Sequence, residues 1–170
     1  MNIKEWIFER RLKKQEKQPV YYLNWEKVRN IIVLYESDIM EKNPFEKGLV
    51  KELQTEGKDV TLLGYVPRKD VTSANLPQSR ILGQKDFGWL GGLKQEVIDD
   101  IRKRHYDLLL DLSTRPALPL KYMAMYIRAD FKAGKNLGEG IHNLMIDLPQ
   151  TAGKEELLRE MVKYLKIIKN

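Results

Sequence analysis

Two continuous apolar runs limit most strongly what this chain can fold into, residues 30–35 (NIIVLY) and 106–112 (YDLLLDL). Runs without a polar residue at every second position are typical of strands buried on both faces, as in parallel sheets. Residues 60–66 (VTLLGYV) fit the same pattern. Parallel strands need crossover connections, which are usually helices. The chain is therefore expected to form a doubly wound α/β sheet.

Helical and shorter strand patterns alternate with these runs. Helices are predicted over residues 2–17, 44–56, 93–104 and 154–169 and after Thr114, with short strands at 80–84, 129–132 and 143–147. Ser113 or Thr114 is expected to cap the helix that follows, with Pro116 in its first turn. The resulting prediction is a three-layer, mainly parallel, Rossmann-like sheet. Its strands, numbered along the chain, are expected to lie side by side in the order 3-2-1-4-5. Residues 1–25 form an extra N-terminal basic amphipathic helix and linker, and residues 26–170 form a single domain.

The composition excludes several kinds of chemistry. The 170 residues include no cysteine, so disulfides, thiolate metal sites and cysteine nucleophiles are absent from this sequence. A cysteine-free chain without a leader-like or membrane-spanning apolar run predicts a cytoplasmic protein. The two histidines, His105 and His142, are not spaced as metal ligands and are expected to be structural. No metal or cofactor is predicted, and no G-x-S-x-G nucleophile turn is present.

Positive charge is concentrated at the start of the chain. Residues 1–29 contain eight Lys and Arg against four Glu, in a chain of net charge +6. Because glutamates alternate with the basic residues, a solvated helix face is the favoured interpretation. The apolar stripe Ile3, Trp6 and Ile7, with Tyr21, Tyr22 and Trp25 nearby, indicates that this helix covers the domain or a protein partner, including a second copy. There is no strong nucleic-acid or membrane signal.

Residues 86–134 carry a familiar sequence pattern. The segment DFGWL leads through a helix to YDLLLDL, and RPAL and YIRADFKAG follow. Over about residues 30–148 the chain resembles the N-terminal, acceptor-side half of the lipopolysaccharide heptosyltransferases, which have the GT-B glycosyltransferase fold. The resemblance implies a Rossmann-like half-domain. A small Bacteroidetes-type family of single-domain proteins would fit this pattern.

The sequence departs from that family at two places. The transferases have a Gly-Asp pair after the first strand, whose aspartate is the expected catalytic base. Here the segment reads Tyr35-Glu36-Ser37-Asp38-Ile39, so Asp38 stands near that position without the glycine. The sugar-nucleotide donor site of a GT-B enzyme lies in a second Rossmann half, which is not expected in these 170 residues. The resemblance therefore favours a half-domain without catalysis, and no catalytic residue is assigned.

Candidate ligand-binding residues lie where strand order is expected to reverse. In doubly wound sheets ligands bind at this point, outside the carboxyl ends of the strands. The candidates are Ser37, Asp38, Arg68, Asp111, Ser113, Thr114 and Arg115. Arg115 near a helix N-terminus would suit an anionic group such as phosphate, or it is a surface charge. Asp111 would orient a ligand, or it would accept N–H bonds from the following turn.

Two functions follow from these features. The favoured one is a non-catalytic binding or interaction module derived from a glycosyltransferase-like half-domain. The alternative is binding or turnover of a phosphorylated or sugar-like metabolite at the carboxyl ends of the strands. Gly88, Gly91 and Gly92 are expected to serve turn geometry only, because the phosphate-loop spacing is missing. Phe87, Trp89 and Tyr106 are expected to pack in the interior.

Overall fold

A computed structural model describes residues 1–15, 19, 22–37, 48–71 and 78–168. Within these ranges the predicted α/β class is confirmed, with six strands that all pair in parallel and helices on both faces. The strands are β1 Asn30–Glu36, β2 Asp59–Tyr65, β3 Ser79–Leu82, β4 His105–Asp111, β5 Arg128–Lys135 and β6 Leu144–Ile146. The helices are α1 Ile3–Lys14, α2 Leu49–Thr55, α3 Gln95–Arg102, α4 Leu118–Tyr126 and α5 Lys154–Ile167.

The sheet order is β3-β2-β1-β4-β5-β6, so the predicted order is confirmed and β6 is added at one edge. The order reverses between β1 and β4, where Ile31 pairs with Leu108 and Leu34 with Asp111. The apolar runs 30–35 and 106–112 thus form the two central strands, because a strand with neighbours on both sides and helices on both faces has no solvated surface.

Alternate side chains of the strands enter two separate cores. One core contains Phe8 of α1 with Leu34, Leu109 and Tyr122, beneath α1, α3 and α4. The other lies beneath α2 and α5 and includes Val33, Leu110 and Leu157. The N-terminal helix therefore contributes a buried side chain to the same core as the sheet.

The helix after β4 begins later than the sequence predicted. Its N-cap is Ala117, so neither Ser113 nor Thr114 caps it, and Pro119 rather than Pro116 lies in its first turn. The physical reason is that the Ser113 hydroxyl and N–H donate to Asp111, so this side chain does not act as a cap, and residues 112–117 form neither helix nor strand. The predicted helix 44–56 is described only from Gly48 onward, as α2.

One prediction about aromatic side chains is wrong, and another is decided only in part. Trp89 is 84% exposed and does not pack in the interior, because it lies on the turn that links Gly88 and Gly91. Ile3 and Trp6, predicted to cover the domain or a protein partner, are 61% and 44% exposed, so they do not cover the domain. Phe8 makes the contact instead, and its ring packs edge-on against Tyr122 at 5.0 Å between centroids. Tyr21 lies outside the described residues.

Candidate functional site

The structure brings most of the predicted ligand-binding residues to one end of the sheet. Ser37 follows β1, and Ser113, Thr114 and Arg115 follow β4, the two strands that flank the reversal of strand order. Arg68 follows β2, one strand away, and its guanidinium binds Asp70 through Nε at 2.9 Å and Nη2 at 2.6 Å. Asp38 lies outside the described residues.

Asp111 is a buried hydrogen-bond acceptor at the end of β4. Its Oδ1 accepts from the Ser113 backbone N–H at 2.9 Å and from the Ser113 hydroxyl at 2.6 Å. Its Oδ2 lies 2.8 Å from His142 Nε2, and both side chains are at least 95% buried. The turn-binding alternative for Asp111 is confirmed. Ser113 and His142 both contact the aspartate and no bond joins them to each other, so the arrangement is not that of a Ser–His–Asp triad.

A glycine in β5 makes room for the imidazole of His142. A Cβ atom on Gly134 would lie only 2.7 Å from His142 Nε2. The histidine arrives on the segment between β5 and β6, which turns through Gly138 and Gly140, both at positive φ. The same segment carries Glu139, whose side chain is 7% exposed and lies 3.3 Å from Lys121 Nζ of α4. Burial raises the pKa of Glu139, and Lys121 opposes that shift.

Lys132 lies two residues before Gly134 and points towards the same face of the sheet. Its Nζ donates to the Ala124 carbonyl at 2.7 Å and to the Met125 carbonyl at 3.4 Å, in the last turn of α4. Burial lowers the pKa of Lys132 to about 8, and the negative charge of Asp111 opposes this shift. The contacts identify Lys132 as a cation that satisfies helix C-terminal carbonyls. Lys132 was not among the residues predicted from the sequence, although a lysine at a buried strand position was a visible signal.

Cations surround the carboxyl ends of β1 and β4. Arg115 is 65% exposed and forms an ion pair with Glu36. Lys154, the first residue of α5, donates to the Glu36 carbonyl. These contacts tie the loop after β4 and the start of α5 to the end of β1.

Lys135, at the end of β5, differs from the other cations at this edge. It is 6% exposed, and its Nζ lies 3.4 Å from the Thr114 carbonyl and 3.3 Å from the Pro149 carbonyl. Within the described ranges no carboxylate lies within ion-pair distance of it. The neighbouring N-terminus of α4 has no side-chain cap and no acidic residue in its first turn. Lys135 and the uncapped N-terminus of α4 together create a positive electrostatic environment at the loop 113–117.

Two further features of the described residues bear on the site. They contain no group of three or more His, Asp or Glu side chains placed to hold a metal ion. Among them, no helix has the length and apolar character needed to cross a bilayer. His105 is the first residue of β4, and its Nε2 lies 2.7 Å from Asp130 Oδ1.

The fold and this edge define a doubly wound α/β protein with a positively charged cluster where strand order reverses. Comparison with protein families assigns the chain more specifically. Residues 2–168 match the model named Family of unknown function (DUF6913), and the chain belongs to this family. A search of curated proteins found no match, and a search of solved structures found none.

Proposed function

We propose that this protein is a binding module for a small anionic metabolite, one that carries a phosphate group, and that it does not catalyse a reaction on it. The ligand occupies the carboxyl ends of β1 and β4, beside Ser113–Arg115 and the N-terminus of α4. A cytoplasmic location and descent from a GT-B acceptor half are parts of the same proposal, and the resemblance over residues 30–148 supports the descent.

The burial of Lys135 is the observation that carries the proposal. Burying a charge without a partner of opposite sign costs free energy, and weak bonds to carbonyl oxygens offset that cost only in part. An anion between Lys135 and Arg115 would neutralise the cation and accept N–H bonds from the uncapped start of α4. Phosphate suits such a site because it accepts several charge-assisted hydrogen bonds at once.

Among the residues that the structure describes, the carboxylates at the ends of β1 and β4 support binding without catalysis. Asp111 is at least 95% buried, and Ser113 and His142 use both of its oxygens. Glu36 is paired with Arg115. A general base must reach the proton that it removes, and neither carboxylate is free to do so.

Thermal unfolding with and without ligand tests the proposal. Inorganic phosphate, a sugar phosphate and a nucleotide should each raise the melting temperature of the wild type, and a neutral sugar should not. A ligand at 100 times its dissociation constant stabilises by about 2.7 kcal/mol, which corresponds to several degrees. Lys135→Met should abolish the ligand-dependent shift even if it raises the melting temperature without ligand.

Lys69→Gln is the matched control. It removes one exposed cation from the segment that follows β2, at a residue that is not a candidate for the site. The control should retain the full phosphate-dependent shift. Equal shifts in the Lys135→Met and Lys69→Gln proteins, or no shift in the wild type with any phosphate compound, would contradict the proposal.

A further inference from the structure

The helix α1 has two chemically different sides. Phe8 is 1% exposed and faces Tyr122, and the guanidinium of Arg11 lies 5.8 Å from the centre of the same ring. The opposite side carries Ile3, Trp6, Arg10 and Lys13, which are all exposed and spaced three, four and three residues apart. This spacing places them on one stripe of the helix, here called the outer stripe of α1.

The exposed surface of α1 as a whole is cationic as well as apolar. Lys4, Arg10, Lys13 and Lys14 are the exposed basic residues of α1, whereas its only exposed carboxylate is Glu5. Glu5 also closes the capping box with Asn2, and Glu9 is half-buried. The glutamates that balance the lysines in the sequence are therefore not equally available at the surface.

Large apolar side chains project from the same region. Met1 is 91% exposed, Ile3 61% and Trp6 44%, and Trp89 on the neighbouring turn is 84% exposed. That turn packs beside α1, since a Cβ on Gly91 would lie 3.6 Å from Lys4 Cδ. Arg10 lies over the Trp6 ring at 4.8 Å from its centre, which leaves both side chains at the surface.

We infer that the outer stripe of α1 docks on an anionic phospholipid surface. Indole rings are favoured at the membrane–water interface, and basic residues beside them bind lipid phosphates. A second copy of the chain is a poor occupant of the same face, because like-charged stripes would oppose each other. This inference is independent of the metabolite site, since it uses none of its residues.

Vesicle co-sedimentation of the full-length protein tests the inference. The protein should bind vesicles of phosphatidylcholine mixed with phosphatidylglycerol, should not bind phosphatidylcholine alone, and should dissociate in high salt. Each basic residue near the surface contributes about a factor of five, so Arg10→Gln with Lys13→Gln should weaken binding about 25-fold. Trp6→Ala with Trp89→Ala should also weaken binding, at unchanged net charge.

The control removes two cations elsewhere. Lys103 and Lys163 have side chains 75% and 60% exposed, so Lys103→Gln with Lys163→Gln lowers the net charge equally. All substituted side chains are exposed, and circular dichroism checks that each variant is folded. Equal vesicle binding by the Arg10/Lys13 variant and the control would overturn the inference. Retention by a polyglutamate peptide or duplex DNA without vesicle binding would also overturn it.

Discussion

At the scale of single residues, Gly134 decides whether His142 can reach Asp111. The imidazole occupies the space that a side chain at position 134 would need, with 2.7 Å between a built Cβ and Nε2. A glycine inside a strand often marks such a close approach. The sequence therefore contained a signal for this contact, but it could not identify the partner, because the segment 136–143 turns back through two glycines at positive φ.

Gly134→Ala should destabilise the protein by about 1–3 kcal/mol, the cost of leaving a buried polar group without its partner. Urea unfolding at neutral pH measures the change. The matched control is Gly88→Ala, where a Cβ would meet only the Gly92 carbonyl at an ordinary 3.7 Å. If both variants are equally stable, the His142–Asp111 contact does not contribute to stability as the geometry indicates.

Lys132 should make stability depend on pH above neutrality. In the folded protein its pKa is about 8, against 10.5 for a free lysine. Between these values the unfolded chain binds more protons, so the free energy of unfolding should rise with pH, by about 3 kcal/mol in total. Urea unfolding at pH 7.5 and pH 10 should show this rise in the wild type relative to Lys132→Met.

Lys103→Met is the control for this titration, since its side chain is 75% exposed. It should follow the wild type across the same pH range. A constant stability difference between the wild type and Lys132→Met would show that Lys132 keeps its ordinary pKa when buried.

At the scale of elements, the buried strands were predictable and the ends of the helices were less so. The runs 30–35 and 106–112 form β1 and β4. A continuously apolar strand is buried on both faces, and this is the environment of the central strands of a parallel sheet. The start of α4 was not predictable from cap residues alone. Ser113 has a side chain suited to capping, but its hydroxyl and its N–H both donate hydrogen bonds to Asp111, two residues earlier.

The packing face of α1 was also not predictable from its own sequence. Its sequence suggested Ile3, Trp6 and Ile7 as the packing stripe, whereas Phe8 is the residue that enters the core. Both stripes fit a helix of this length, and only the position of Tyr122 on α4 selects between them. Because Phe8 is buried, Ile3 and Trp6 face outward beside the basic residues, and the exposed side of this basic helix is apolar as well as cationic.

At the scale of the whole molecule, the two proposed anion-binding surfaces depend on different residues. The helix α1 contacts α4 over one face of the sheet. Lys135 shares a side of β5 with Phe131 and Ala133, which belong to the core on the other face of the sheet. Its Nζ contacts the loop that leads into α5. Changes at sites with no shared partners usually have additive effects.

The two activities should therefore be independent. Lys135→Met should bind anionic vesicles as the wild type does, and the Arg10→Gln, Lys13→Gln protein should keep the full phosphate-dependent rise in melting temperature. A protein with all three substitutions should lose both activities, each by the amount seen separately, within about 0.5 kcal/mol. If vesicles weaken phosphate binding in the wild type, the two surfaces compete for the same anions. That result would contradict two separate sites at Lys135 and α1 and would indicate one extended basic face.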